Sequence, residues 1–239
     1  VKLTLDIGNT YTKYGFFEGK SSVEQGVVHG LDGLSTFLKS RSEDFERAIV
    51  CSVRYTEDEV GPLFPARKQV IYLSHKTPVP IGMSYATPET LGMDRLAAVI
   101  GASEIFPGKA VMVIDIGTCI TYDYLNADQM FEGGIISPGV ELRYKAMHEH
   151  TERLPLLNDR EAGALIGDST ASAMTSGVIH GITGEIEYMI SQFLLKTPDL
   201  KVIITGGGAK IFESRIKADI FVALEIVLVG LNRVLDCNA

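Results

Sequence analysis

Asp6 and Asp115 are the residues of this sequence best placed to do chemistry. They stand in matching runs, Leu5-Asp6-Ile7-Gly8-Asn9-Thr10-Tyr11-Thr12 and Ile114-Asp115-Ile116-Gly117-Thr118-Cys119-Ile120-Thr121, 109 residues apart, each with a threonine four places beyond its glycine. A carboxylate at the end of an apolar strand costs free energy unless it is hydrogen-bonded, paired or bound to a cation. One such aspartate alone reads equally well as the cap of its own turn. Two matching copies weigh toward a shared task. A glycine lets a ligand approach the backbone closely, and the N–H groups and hydroxyls of a turn at a sheet end suit phosphate oxygens.

The elements that must hold these turns follow from the flanking residues. Residues 1–5 and 110–114 are short apolar strand signals, and the chain past each turn is rich in β-formers (Tyr14, Phe16, Phe17; Tyr122, Tyr124), so both runs predict strand, turn, strand. Between them, 31–40 and 43–48 predict helices, 48–53 and 69–73 buried strands, 77–88 a proline-marked loop and 91–106 a helix. Further on, 140–150 and 169–195 predict helices, the second capped by Asp168 or Ser169, and 201–205 a strand that ends in Gly206-Gly207-Gly208. Strands alternating with helices predict an α/β fold. The doubled run predicts two related domains, 1–107 and 108–239, with a ligand cleft between them.

Composition narrows the function classes. Hydrophobic residues make up 46% and charged residues 22%, enough to build a folded core. The net charge of −8 and the lack of a Lys/Arg cluster argue against a nucleic-acid partner. Cys51, Cys119 and Cys237 are too few and too scattered for a disulfide framework, which fits a reducing cytoplasm. Neither a signal peptide nor an apolar run of about 18 residues is visible, so no membrane partner is expected.

Several further residues have both a plain and a functional reading. Gly206-Gly207-Gly208-Ala209 after a strand could admit a purine or ribose to the backbone, although the Rossmann spacing is missing and no G-x-x-x-x-G-K-[ST] segment supplies a P-loop. On their own, Asp94 and Arg95 read as a helix-start carboxylate beside an exposed arginine. His148 and His150, two apart on a helix, read as surface residues. Cys119 reads as packing, and the methionines as core or gap fillers.

Together, Asp6-Ile7-Gly8-Asn9-Thr10, Asp115-Ile116-Gly117-Thr118 and the late glycine turn resemble the two phosphate motifs and the adenosine motif of the acetate and sugar kinase, heat-shock chaperone and actin superfamily. Tyr85-x-x-Pro88-x-x-x-Gly92-x-Asp94-Arg95, Gly133-Gly134-Ile135-Ile136-Ser137-Pro138-Gly139 and Gly167-Asp168-Ser169-Thr170 resemble type III pantothenate kinases in particular. The resemblance runs over residues 3–231, although 218–229 lack the polar, proline-containing turn expected before Gly230-Leu231. It implies two duplicated actin-like (ribonuclease H-like) domains, with mixed sheets flanked by helices and a cleft between them.

The implied activity is ATP-dependent phosphorylation of pantothenate to 4′-phosphopantothenate, the first step of coenzyme A biosynthesis. ATP is then expected against Asp6, Ile7, Gly8, Asn9, Thr10, Tyr11, Thr12, Lys13, Thr118, Gly206 and Gly207. Pantothenate is expected against Tyr85, Gly92, Met93, Asp94, Arg95 and Thr170, with Asp94 as the general base. The resemblance gives Asp115 a monovalent cation, potassium or ammonium. Magnesium is expected with ATP, and Asp6 is the candidate for a water-mediated contact to it. A homodimer is implied as well, its acceptor site completed by Thr170 from the partner. Two other readings stay open: another small-molecule kinase or a phosphatase on the same fold, and a non-enzymatic, transcription-linked accessory protein of the kind some relatives, the Baf-type factors, are called.

Overall fold

A computed structural model describes residues 1–238. The chain forms two compact units, one made of Val1–Gly108, Gln129–Glu132 and residues 225–238, the other of Lys109–Asp128 and Gly133–Leu224. The sequence reading divides the chain once, at residue 107. The observed first unit recruits the C-terminal segment, which that division assigns to the second half.

The first unit begins with β1 (Lys2–Ile7), β2 (Thr12–Glu18) and β3 (Ser21–Val28), then α1 (Gly30–Ser40), β4 (Arg47–Ser52), the single-turn α2 (Glu57–Val60), β5 (Gln69–Tyr72), the two-residue β6 (Gly82–Met83) and α3 (Met93–Ile105). Its sheet runs β3-β2-β1-β4-β5. β1 is antiparallel to β2 and parallel to β4. Side chains alternate along a strand. Leu3, Leu5 and Ile7 therefore share one core cluster with Leu34 and Leu38 of α1 and with Phe45, while Thr4 and Asp6 fall on the opposite face.

Residues 43–48 do not form the expected helix. Asp44 N–H bonds back to Arg41 O at 3.0 Å, Phe45 is buried in the core, and β4 begins at Arg47. A six-residue segment gains too few helical hydrogen bonds to offset nucleation, and one buried phenylalanine is better served by a turn that seats it.

The second unit contains β7 (Val111–Ile116), β8 (Cys119–Leu125), β9 (Met130–Pro138), α4 (Val140–Glu149), α5 (Thr170–Lys196), β10 (Lys201–Thr205), the one-turn α6 (Ala209–Phe212) and β11 (Phe221–Val222). Its strands run β11-β10-β7-β8-β9. The opening residues of β9, Met130 and Phe131, belong to the first unit and pair there with Gly82 and Met83. In the second core, Ile114 and Ile116 of β7 meet Val178, Ile182 and Ile186 of α5, with Tyr144 of α4. Ser169 caps α5 by accepting the Ser172 N–H at 3.2 Å.

The region 218–229 resolves into the two-residue β11 and the start of α7 (Ile226–Cys237). Ile226, Val227, Leu231, Val234 and Leu235 recur at helical spacing and are buried. Each such side chain contributes about 1.5–3 kcal/mol when withdrawn from water, so the apolar run favours a helix. α7 packs on α3 and on β1. A methyl at Gly230 would lie 1.8 Å from Ala97 O, so only glycine permits this crossing. Among the described residues, no helix is long and apolar enough to cross a membrane.

Candidate active site

In the first unit the strand β1 delivers Asp6 to the end of the sheet, where its register partners are Lys13 on β2 and Cys51 on β4. The chain then turns tightly, with Gly8 N–H donating to Tyr11 O at 3.2 Å. Cys51 is fully buried, and its thiol is pushed well above the ordinary value, first by burial and then by the negative charges of Asp6 and Asp94. One thiol thus senses both carboxylates. The phosphate-turn aspartate and the candidate base converge on one region of this unit.

Asp94 sits in the first turn of α3, after Gly92. Its Oδ1 accepts the Arg95 N–H at 2.9 Å. Arg95 departs from its plain sequence reading: it is only 9% exposed, so it is no surface arginine. Its guanidinium lies 6.0 Å from the Tyr85 ring centroid, and that ring stacks on Phe131 at 5.9 Å. Tyr85 and Arg95 therefore lie in one neighbourhood.

The second unit repeats the turn. Asp115 on β7 pairs in register with Thr205 of β10 and Thr121 of β8. The glycine turn after β10 folds over it: Gly206 has φ +88°, and a Cβ there would stand 2.3 Å from Asp115 Oδ1 and 2.7 Å from Ile116 O. Gly208 N–H bonds Ile116 O at 2.8 Å. Asp115, Gly206 and Gly207 are thus brought together in one corner. Thr118 is exposed on the β7–β8 turn, and its carbonyl accepts the Gly139 N–H at 2.9 Å. Cys119 is exposed on the same turn, which corrects its reading as a packing residue.

Thr170 opens α5 and lines an open apolar groove of about 810 Å³ with Leu142, Met147, Leu154, Ala173 and Gly177. Beside it lies a polar cluster that sequence reasoning missed, in which Glu185 accepts from Ser137, Arg143 and Tyr122. Burial would raise the Glu185 carboxyl, but these three hydrogen bonds and the Arg143 charge outweigh it and hold the group below the usual carboxylate range. Arg54 is a second residue missed: its Nη1 donates to Asn9 O on the β1–β2 turn at 2.7 Å. The only signal for it was a basic residue just past a strand parallel to β1.

Among the described residues, no group of three or more His, Cys, Asp or Glu gathers to hold a metal ion. His148 Nδ1 pairs with Leu154 O at 2.8 Å, as befits a structural histidine. The site residues do fit hard cations that draw most of their ligands from water and phosphate. Asp115 Oδ1 and Ile116 O both press on the Gly206 backbone, and both are oxygens, the ligand type such cations take.

The chain is similar to known proteins of one family. A sequence model described as type III pantothenate kinase matches residues 2–192. A type III pantothenate kinase of Cytophaga hutchinsonii is 40% identical, covering 100% of this chain and 100% of its own. One from Phocaeicola vulgatus is 41% identical over 100% of this chain and 99% of its own. Among solved structures, a Campylobacter jejuni protein described as a Baf family transcriptional activator superposes with a TM-score of 0.65 at 20% identity, covering 99% of this chain and 98% of its own. At that identity the likeness shows the fold alone.

Proposed function

Because the chain belongs to the type III pantothenate kinase family, we propose that Asp94 is the general base for phosphorylation of the pantothenate 4′-hydroxyl. The overall reaction is ATP-dependent transfer of the γ-phosphoryl group to that hydroxyl, which yields 4′-phosphopantothenate and ADP and opens coenzyme A biosynthesis. The reading of the site rests on one observation above the others: Arg95, next to Asp94 at the start of α3, is buried and held beside Tyr85.

The chemistry follows from what the residues offer. The hydroxyl oxygen attacks the γ-phosphorus, the bond from that phosphorus to the ADP oxygen breaks, and the hydroxyl proton passes to Asp94. Arg95, held beside Tyr85, supplies a fixed donor fork suited to the pantothenate carboxylate. The turn from Asp6 to Lys13 takes the phosphates. Thr118, Gly206 and Gly207 bind the nucleotide. Asp6 would contact Mg²⁺ through water, and Asp115 would hold potassium or ammonium. When bound, these cations offset the charge of the triphosphate. The active form in this proposal is a cytoplasmic homodimer in which Thr170 of one copy reaches the acceptor bound by the other.

The direct test is ADP release with pantothenate, ATP, magnesium and potassium, compared with omission of each and with a panel of other alcohols. Turnover that requires pantothenate supports the acceptor. Equal turnover with unrelated alcohols would overturn it.

A further inference from the structure

We propose that Arg54 binds the phosphates of the donor nucleotide, one of its N–H groups anchoring it to the β1–β2 turn and the rest serving the ligand. The proposal builds on the reading of that turn as the phosphate site.

The backbone at Arg54 is fixed before any ligand arrives. Val53 N–H donates to Ile7 O at 3.1 Å, which carries the β1–β4 pairing one residue past the strand. Ser52 Oγ accepts the N–H groups of Arg54 at 3.3 Å and Tyr55 at 2.9 Å, and donates to Tyr55 O at 2.7 Å. Such a side-chain turn holds the loop in a single form. From this anchor the guanidinium reaches across to Asn9 O at 2.7 Å, with the Tyr55 ring centroid 5.1 Å from Cζ.

A guanidinium carries five N–H donors in a planar fork. The Asn9 carbonyl takes one, and a neutral amide could have served it equally well. Among the described residues no carboxylate pairs with Arg54, and the residue is exposed, so the Tyr55 face is the one structural contact that uses its charge, and it leaves the edge of the fork open. The need for charge lies next to it. A triphosphate bound at Gly8–Thr10, on either side of the Asn9 carbonyl that Arg54 holds, would bring several negative charges to this end of the sheet. A planar cation already docked on the turn meets phosphate oxygens in its preferred geometry, with little side-chain freedom left to lose.

Steady-state kinetics with Arg54→Gln, Arg54→Lys and Arg54→Ala separate charge from anchoring, because glutamine can keep the bond to Asn9 O without the cation. Thermal unfolding identifies the folded variants, and Lys13→Ala tests the turn independently. For Arg54→Gln the expected result is a KM for ATP raised about tenfold, with inhibition by ADP weakened and that by adenosine unchanged. The KM for pantothenate should also hold, and Arg54→Lys should recover part of the loss. If Arg54→Gln matches the wild type while Lys13→Ala weakens ATP, Arg54 is only a turn tie and the proposal falls alone. If neither variant moves the KM for ATP, the reading of the turn falls and the proposal with it.

Discussion

The Glu185 carboxylate on α5 accepts the Arg143 guanidinium from α4, and Arg143 Nε donates to Pro138 O at 2.8 Å. The next residue, Gly139, donates to Thr118 O at 2.9 Å. One ion pair is therefore linked, through three short steps, to the β7–β8 turn. Its side chains are 23% and 22% exposed, so it is partly shielded from solvent.

Glu185→Gln should destabilise the protein by about 1–3 kcal/mol at neutral pH, because Arg143 loses its counter-charge in a half-buried setting. The sign with pH follows from the lowered carboxyl. A group whose folded pKa is depressed stabilises fully above its unfolded value, and that stabilisation is lost as pH falls through the folded one. The gap in melting temperature between wild type and Glu185→Gln should thus hold near pH 7 and narrow below the ordinary carboxylate pKa of about 4.3. A gap that stays constant down to pH 3 would refute the charged pair.

Asp94→Asn should lower kcat by about 10²–10⁴-fold, the usual worth of a positioned base. The KM for ATP should stay near the wild-type value, since the amide keeps the shape of the side chain and only proton acceptance is lost. Near-normal kcat would remove Asp94 from the role.

What could be read in advance was whatever is local or repeated. β1 and β7 announced themselves through short apolar runs, and their turns through the doubled Asp-Ile-Gly. The fold class followed from the alternation of strands and helices. Residues whose roles depend on distant partners stayed hidden. Glu185 meets Tyr122 63 residues away and Arg54 meets Asn9 45 away, and no periodicity encodes such meetings. The burial of Arg95 was invisible for the same reason, because it depends on the Tyr85 loop and the opening of β9. α7 was missed because a dense apolar run carries little information on its period until its partners α3 and β1 are known.

Activity should require potassium or ammonium, and Asp115→Ala should abolish both that response and most turnover. Gly206→Ala offers a second route to the same corner. Its Cβ would enter the space beside Asp115 Oδ1, and φ +88° is strained for alanine. It should blunt the potassium response while the protein still folds, as circular dichroism can check. Full activity in sodium-only buffer with magnesium would return Asp115 to a turn cap.

The enzyme should be an obligate homodimer that pairs through α5. That helix buries Met174, Val178, Ile182, Ile186 and Ile190 toward its own sheet, whereas Ala173, Gly177, Gly181 and Gly184 are exposed. A Cβ at Gly177 or Gly184 would meet nothing within 4 Å. Close packing inside the unit therefore does not account for these small residues, and a facing helix could approach them closely. Leu165 and Ile166, just ahead of α5, are 73% and 85% exposed, an apolar surface that burial against a second copy would relieve. A twofold interface repeats each contact, so damage to this helix should affect both sites together. Light scattering at working concentration should report the dimer mass. Thr170→Arg should be inactive although it lies far along the chain from Asp94. Mixing it with inactive Asp94→Asn subunits should restore activity, because a mixed dimer regains one site with an intact base and an intact Thr170. A monomeric active enzyme, or no recovery despite proven subunit exchange, would eliminate the shared site.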